Sequence, residues 1–203
     1  MLQKNDRGPK DIDLVARKQD RRRLQAFFEA EGYEVDRHML VAMEGHQYLF
    51  RDRERGIDVD VWVDHLDFCH KVDLRGRFGT GPSLMIEDLL LSKLQIVELT
   101  NNDQVDIRAI LTVHKLGYDA DDSEVIDVNY ISRVLSDDWG FWKTATGNLT
   151  QLIDQGPDDA ADPARDLREA IDAAPKTVKW KVRSKVGERV QWWQDVDLPR
   201  DTY

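Results

Sequence analysis

The sequence predicts an α+β fold: a small mixed β-sheet with helices over residues 1–80, then a helical region over 81–203. Three observations carry this reading. Residues 11–16 and 57–64 alternate apolar and polar side chains with the period of two that a one-sided strand shows. From residue 86 onward the apolar spacing becomes helical. The loop RGRFGTGPS marks the change from strand-rich to helix-rich chain.

The first strand is expected in KDIDLVAR, where Ile12 and Leu14 point to one side and Asp11 and Asp13 to the other. KQDRRRLQAFFEAE, residues 18–31, sets Leu24, Phe27 and Phe28 at helical spacing behind Asp20 as a cap, and Gly32 ends the helix. Residues 33–50 and 57–64 are expected as strands paired in a hairpin through the charged RDRERG segment. In IDVDVWVD, Ile57, Val59, Val61 and Val63 share one face, and Asp58, Asp60, Trp62 and Asp64 the other.

IEDLLLSKLQIVEL has the dense apolar spacing of a mostly buried helix, and VDIRAILTVHKLG continues as another that ends at Gly117. Apolar periodicity runs over 123–154 through Ile131, Leu135, Trp139, Trp142 and Leu149. The polar stretch QGPDDAADPARD then predicts a loop near 155–166. The last segment, LREAIDAAPKTVKWKVRSKVGERVQWWQ, is basic and aromatic, with Val182, Val186, Val190 and Trp193 near helical spacing beyond Pro175.

A chain of 203 residues can bury a core without covalent staples. Its one cysteine, Cys69, rules out an internal disulfide and leaves no zinc-binding spacing, which suits a reducing, cytoplasmic setting. The first residues lack a charged start followed by an apolar run, and nowhere do eighteen apolar residues follow one another, so neither export nor a membrane partner is expected. A net charge of −10 argues against coating nucleic acid through phosphate neutralisation and suits cation binding, so nucleic acid is a disfavoured partner.

Two carboxylates at i and i+2 of one strand project to the same side, where their repulsion is costly unless a cation lies between them. Asp11 and Asp13 have that geometry. A third carboxylate from a neighbouring strand would complete a site for two hard cations of the kind used in phosphoryl transfer, and Asp60, flanked by Val59 and Val61, is the best candidate. The plainer reading of such a strand is a solvated acidic face.

KDIDLV, the helix to EGYEVD, VDVWVD, FCHKVDL and DLLLSKLQIVEL, followed by VDIRAIL, DDWGFWKTATGNL and PKTVKWKVRSKVGERVQWW, resemble successive blocks of uncharacterised bacterial nucleotidyltransferase-like proteins. These belong to the polymerase-beta-like nucleotidyltransferase superfamily, and the chain is more distantly similar to abortive-infection toxin nucleotidyltransferases. The resemblance implies that Asp11, Asp13 and Asp60 bind the catalytic metal, Mg²⁺ or Mn²⁺. It implies transfer of a nucleoside monophosphate from a nucleoside triphosphate to an acceptor hydroxyl on a small molecule, a protein or RNA.

One departure from that superfamily is plain. Its members present a Gly-Gly or Gly-Ser turn ahead of the paired aspartates, where backbone N–H groups cradle the triphosphate. Here Gly8 is followed by Pro9, which has no N–H to offer. Three readings follow: a shortened chain, an element supplied by another chain, or a scaffold that has lost catalysis and binds a partner or a second copy as an interaction module. With the cradle missing, weak triphosphate binding and little transfer are expected.

Lys93, in SKLQ, either snorkels to solvent or reaches phosphate, and the toxin relatives place a functional lysine in a similar block, which makes it the candidate nucleotide-binding residue. Asp103 and Asp106 resemble the toxins' DxxD block, although a helix N-terminus favours acids through its dipole, and capping is the expected role. His70 is expected to make a structural hydrogen bond and Cys69 to act as a small apolar side chain. Trp139 and Trp142 are expected in the core rather than as a stacking platform.

Overall fold

Strand β1 (Asp11–Ala16) is followed by helix α1 (Arg21–Ala30), the short strand β2 (Glu34–Val35), helix α2 (Arg37–Ala42), and strands β3 (Gln47–Asp52) and β4 (Ile57–Val63). The computed structural model describes residues 11–79, 81–118, 122, 124–155 and 159–195; Gly8 and Pro9 lie outside them. The four strands form a mixed sheet in the order β1-β4-β3-β2, with β1 parallel to β4 and the remaining pairs antiparallel. The chain is α+β.

The alternation seen in the sequence becomes two distinct faces. On one, Val59 and Val61 pair with Phe50 and Tyr48 of β3 and pack beneath Phe28 and Leu24 of α1. The Phe28 and Phe50 rings stack at 4.5 Å. Phe50 is fully buried, which contributes about 2–3 kcal/mol relative to an exposed ring. Ile12 and Leu14 lie in register with Val59 and Val61 on that face, yet they stay 43% and 36% exposed because β1 is an edge strand.

Several expectations need correction. Residues 37–42 form a helix, not a strand, because Asp36 caps it, accepting hydrogen bonds from the His38 and Met39 N–H groups. Asp20 precedes α1 without a side-chain cap bond. Asp64 does not continue the acidic face: it adopts a left-handed backbone with φ 64° and accepts a bond from Lys18 N–H. Gly32, with φ 89°, ends the α1 turn as expected.

The chain divides into two compact units, one of residues up to Leu66 with Asp73–Gly76, the other of Asp67–Val72 with Arg77 onward. Strands β5 (His65–Asp67) and β6 (Lys71–Asp73) form a two-stranded sheet. The second unit contains α3 (Ile86–Leu94), α4 (Asn101–Val113), the parallel pair β7 (Lys115–Gly117) and β8 (Val125–Asp127), and then α5 (Val128–Asp137), α6 (Trp139–Asp154), α7 (Ala161–Ala173) and α8 (Val178–Val186).

Asp127 and Asp138 explain why the long apolar stretch is two helices: each side chain accepts the N–H of a residue three positions on and starts a new helix. The helix expected to reach Gly117 stops at Val113, and residues 115–117 pair as β7. The expected loop near 155–166 gives way at Ala161 to α7, whose Ala161, Ala164, Leu167 and Ile171 form a buried stripe at helical spacing. Ala174 and Pro175 then separate α7 from α8.

Candidate functional site

The polar face of the first unit is fixed by register. Parallel pairing sets Asp11 opposite Asp58 and Asp13 opposite Asp60, and the β3–β4 hairpin sets Arg51 opposite Asp58 and Leu49 opposite Asp60. Neighbouring strands lie about 4.8 Å apart, so four carboxylates from two strands crowd one patch. The three aspartates singled out in the sequence therefore share one face. Among the described residues, however, no three histidine, cysteine, aspartate or glutamate side chains are gathered closely enough to hold a metal ion as they stand.

Asp60 is the most perturbed member. Burial raises its pKa above the ordinary carboxylate value, and the charges of Asp11 and Asp58 add to the effect, while a hydrogen bond from Gln47 Nε2 at 2.7 Å and the charge of Arg51 oppose it. Asp11 and Asp13 are exposed. Arg51 makes a 3.3 Å bond to Asp36 and lies 3.7 Å from Asp58, at the edge of an open hollow of about 710 Å³ that Arg53 and Gly56 also line.

Sequence reasoning missed Asp58 and Arg51 as members of this site. The signal was present in the hairpin: counting outward from the four residues between Asp52 and Ile57 pairs Arg51 with Asp58 and Leu49 with Asp60. A donor set of carboxylate oxygens alone, without sulfur or imidazole, fits a hard divalent cation.

Lys93 belongs to the second unit, where its Nζ lies 2.7 Å from Asp106 and 3.7 Å from Asp103 of α4. Burial disfavours its charge, but Asp106 and Asp103 more than offset this and hold its pKa above the ordinary lysine value. The ammonium thus joins α3 to α4 and brings together residues that the sequence showed only as separate blocks. Asp103 also completes a capping box with Thr100, as its position at a helix start implied.

His70 is buried, stacks on Phe141 at 5.1 Å, and shares a 2.8 Å hydrogen bond with Thr144 Oγ1. Burial drives its pKa down to about 4, so the ring is neutral at pH 7. Cys69 is half-buried and free. Trp139 is buried, and Trp142 donates its ring N–H to Asp172 at 3.0 Å.

No helix among the described residues is long and apolar enough to cross a membrane. No family model matches the chain, and neither a curated protein nor a solved structure matches it.

Proposed function

We propose that the first unit is a metal-dependent nucleotidyltransferase core that transfers a nucleoside monophosphate from a nucleoside triphosphate to an acceptor hydroxyl. The observation that carries this reading is the parallel register of β1 and β4, which sets Asp11 and Asp13 beside Asp58 and Asp60 on one face. Mg²⁺ or Mn²⁺ would be held by Asp11, Asp13 and Asp60, where it supplies charge neutralisation for the triphosphate and activation of the attacking hydroxyl.

The chain's own groups do the rest. Gln47 fixes one oxygen of Asp60, leaving Oδ2 to take the acceptor's proton. The acceptor oxygen attacks the α-phosphorus, a P–O bond forms, the bond to the bridging oxygen breaks, and pyrophosphate leaves. Asp58, held near Arg51, adds to the charge that draws the cation in.

A second reading, a non-catalytic scaffold that binds a partner protein, is favoured by two facts: the carboxylate side chains are not gathered into a closed metal cluster, and Lys93 is paired within its own unit. Transfer of label from α-phosphate-labelled nucleoside triphosphates, with Mg²⁺ or Mn²⁺ and a panel of acceptors, separates the two. With the glycine turn replaced by Gly8-Pro9, the enzyme reading predicts weak, metal-dependent incorporation that Asp13→Asn and Asp60→Ala abolish. Incorporation that survives both substitutions, or none with any acceptor, supports the scaffold.

A further inference from the structure

The second unit carries a cleft that the transferase reading does not use. It is an open hollow of about 750 Å³ between the N-terminal end of α6, the segment Cys69–Lys71, one side of α8, and the stretch Gln191–Gln194. This volume is in the range of ligand-binding clefts. Its walls are aromatic and aliphatic: Trp139 lies 6.0 Å from Trp192, and Trp192 lies 4.7 Å from Trp193, both pairs edge to face, with Val182 and Val186 of α8 completing the surface.

The cleft is held open by the chain itself. Gln194 N–H bonds the Cys69 carbonyl at 2.9 Å, and Trp192 donates its ring N–H to Thr144 at 3.2 Å. Arg183 donates to the carbonyls of Gly187, Val190 and Gln191 while its guanidinium lies 4.8 Å from the Trp139 ring centre, which ties the tryptophan stretch to α8. At Gly140 a Cβ would meet the Trp192 carbonyl oxygen at 2.5 Å, so only glycine allows this close approach. Trp193, the outermost ring, is only partly buried on this frame.

Charge distinguishes this region from the rest of the molecule. Residues 176–190 hold six lysines and arginines and one carboxylate, in a chain whose net charge is −10. Lys71, Lys179, Lys181 and Lys185 are exposed. Asp137 and Asp138 also line the cleft, but Asp137 is paired with Lys179 at 3.3 Å and Asp138 caps α6. At 0.1 M salt the Debye length is about 10 Å, so the acidic surface farther away is largely screened from a ligand in the cleft.

We propose that this cleft binds single-stranded nucleic acid, with bases stacking against Trp193 and the valine wall and phosphates meeting Lys71 and Lys179, whose 3.3 Å pair with Asp137 is solvent-exposed and therefore weak. Flat aromatic rings beside lysines match the bases and phosphates of an unpaired strand. The proposal stands apart from the transferase reading and holds whether or not the first unit is catalytic.

The test is fluorescence anisotropy with labelled 12-nucleotide oligouridylate and oligoadenylate at 50 and 200 mM salt. Saturable binding is expected, weakening about 7-fold across that range if two phosphates are contacted. Lys71→Glu with Lys179→Glu, both exposed positions, should weaken binding and flatten its salt dependence. Trp193→Ala should weaken it at unchanged salt slope, and Asp13→Asn should leave it unaltered. Absence of binding at 50 mM salt would overturn the proposal. So would equal competition by poly-glutamate, which marks a general polyanion surface, or binding of phosphatidylserine vesicles in preference to the oligonucleotides. Retained affinity in the double lysine variant would overturn it as well.

Discussion

Replacing Arg77 by methionine removes the guanidinium that pairs with two carboxylates inside the second unit. Arg77 donates from Nε to Asp88 at 2.9 Å and from Nη2 to Glu87, and its guanidinium lies 3.8 Å from the Tyr130 ring centre. Asp88 is 0% and Glu87 2% exposed, and Glu87 Oε2 and Asp88 Oδ1, the oxygens that Arg77 does not bond, have no hydrogen-bond partner. Breaking such a buried pair leaves unpaired charge in a low-dielectric site and costs about 3–5 kcal/mol. For a unit of this size that lowers Tm by on the order of 10–20 °C.

The pH dependence follows from Asp88. Burial raises its pKa above the ordinary 3.8, and Arg77 pulls against that shift, so loss of Arg77 raises it further. A raised carboxylate favours the folded state below the unfolded value of 3.8, and this favour is lost as pH rises through the folded pKa. The Arg77→Met deficit should therefore be larger at pH 7.5 than at pH 4, in urea denaturation followed by circular dichroism. Adding Glu87→Gln and Asp88→Asn should restore much of the stability, because no buried charge is left. A deficit below about 1 kcal/mol, or one independent of pH, would refute the reasoning.

Three further outcomes are expected. His70, with its folded pKa near 4, stabilises the chain above the unfolded value of 6.5 and loses that contribution as pH falls through 4; up to about 3 kcal/mol should disappear over that window, and His70→Gln should flatten the urea-derived profile. Gly140→Ala should lower Tm and increase acrylamide quenching of tryptophan fluorescence, because the added methyl collides with the Trp192 carbonyl. Asp60→Asn in metal-free buffer should raise Tm at pH 7 but not at pH 3.5, since the raised carboxylate favours folding only while it keeps its proton.

Much of the first unit was legible because half-buried strands write their faces into the sequence. DIDLVA and IDVDVWV gave both strands and the side on which Asp11, Asp13 and Asp60 lie. Their parallel pairing was not legible, since strand order depends on packing between distant segments. Helix α2 was hidden because HMLVA is too short to show a period, and its start rests on one Asp36 cap. Helix α7 was hidden by composition: it follows the turn-prone run QGPDD, and half of its buried stripe is alanine. Lys93 shows the limit of motif reading, because its motif says nothing of the 2.7 Å pair with Asp106 that occupies it.

The acidic face of β1 and β4 as a cation site is the central claim, and Mn²⁺ titration by isothermal calorimetry on the wild type and Asp13→Asn tests it most directly. Three carboxylates on one strand pair should give saturable binding in the wild type that is lost in Asp13→Asn, whose circular dichroism spectrum and Tm in metal-free buffer stay close to the wild type. No heat of binding in the wild type, or equal binding in the Asp13→Asn variant, would contradict the account.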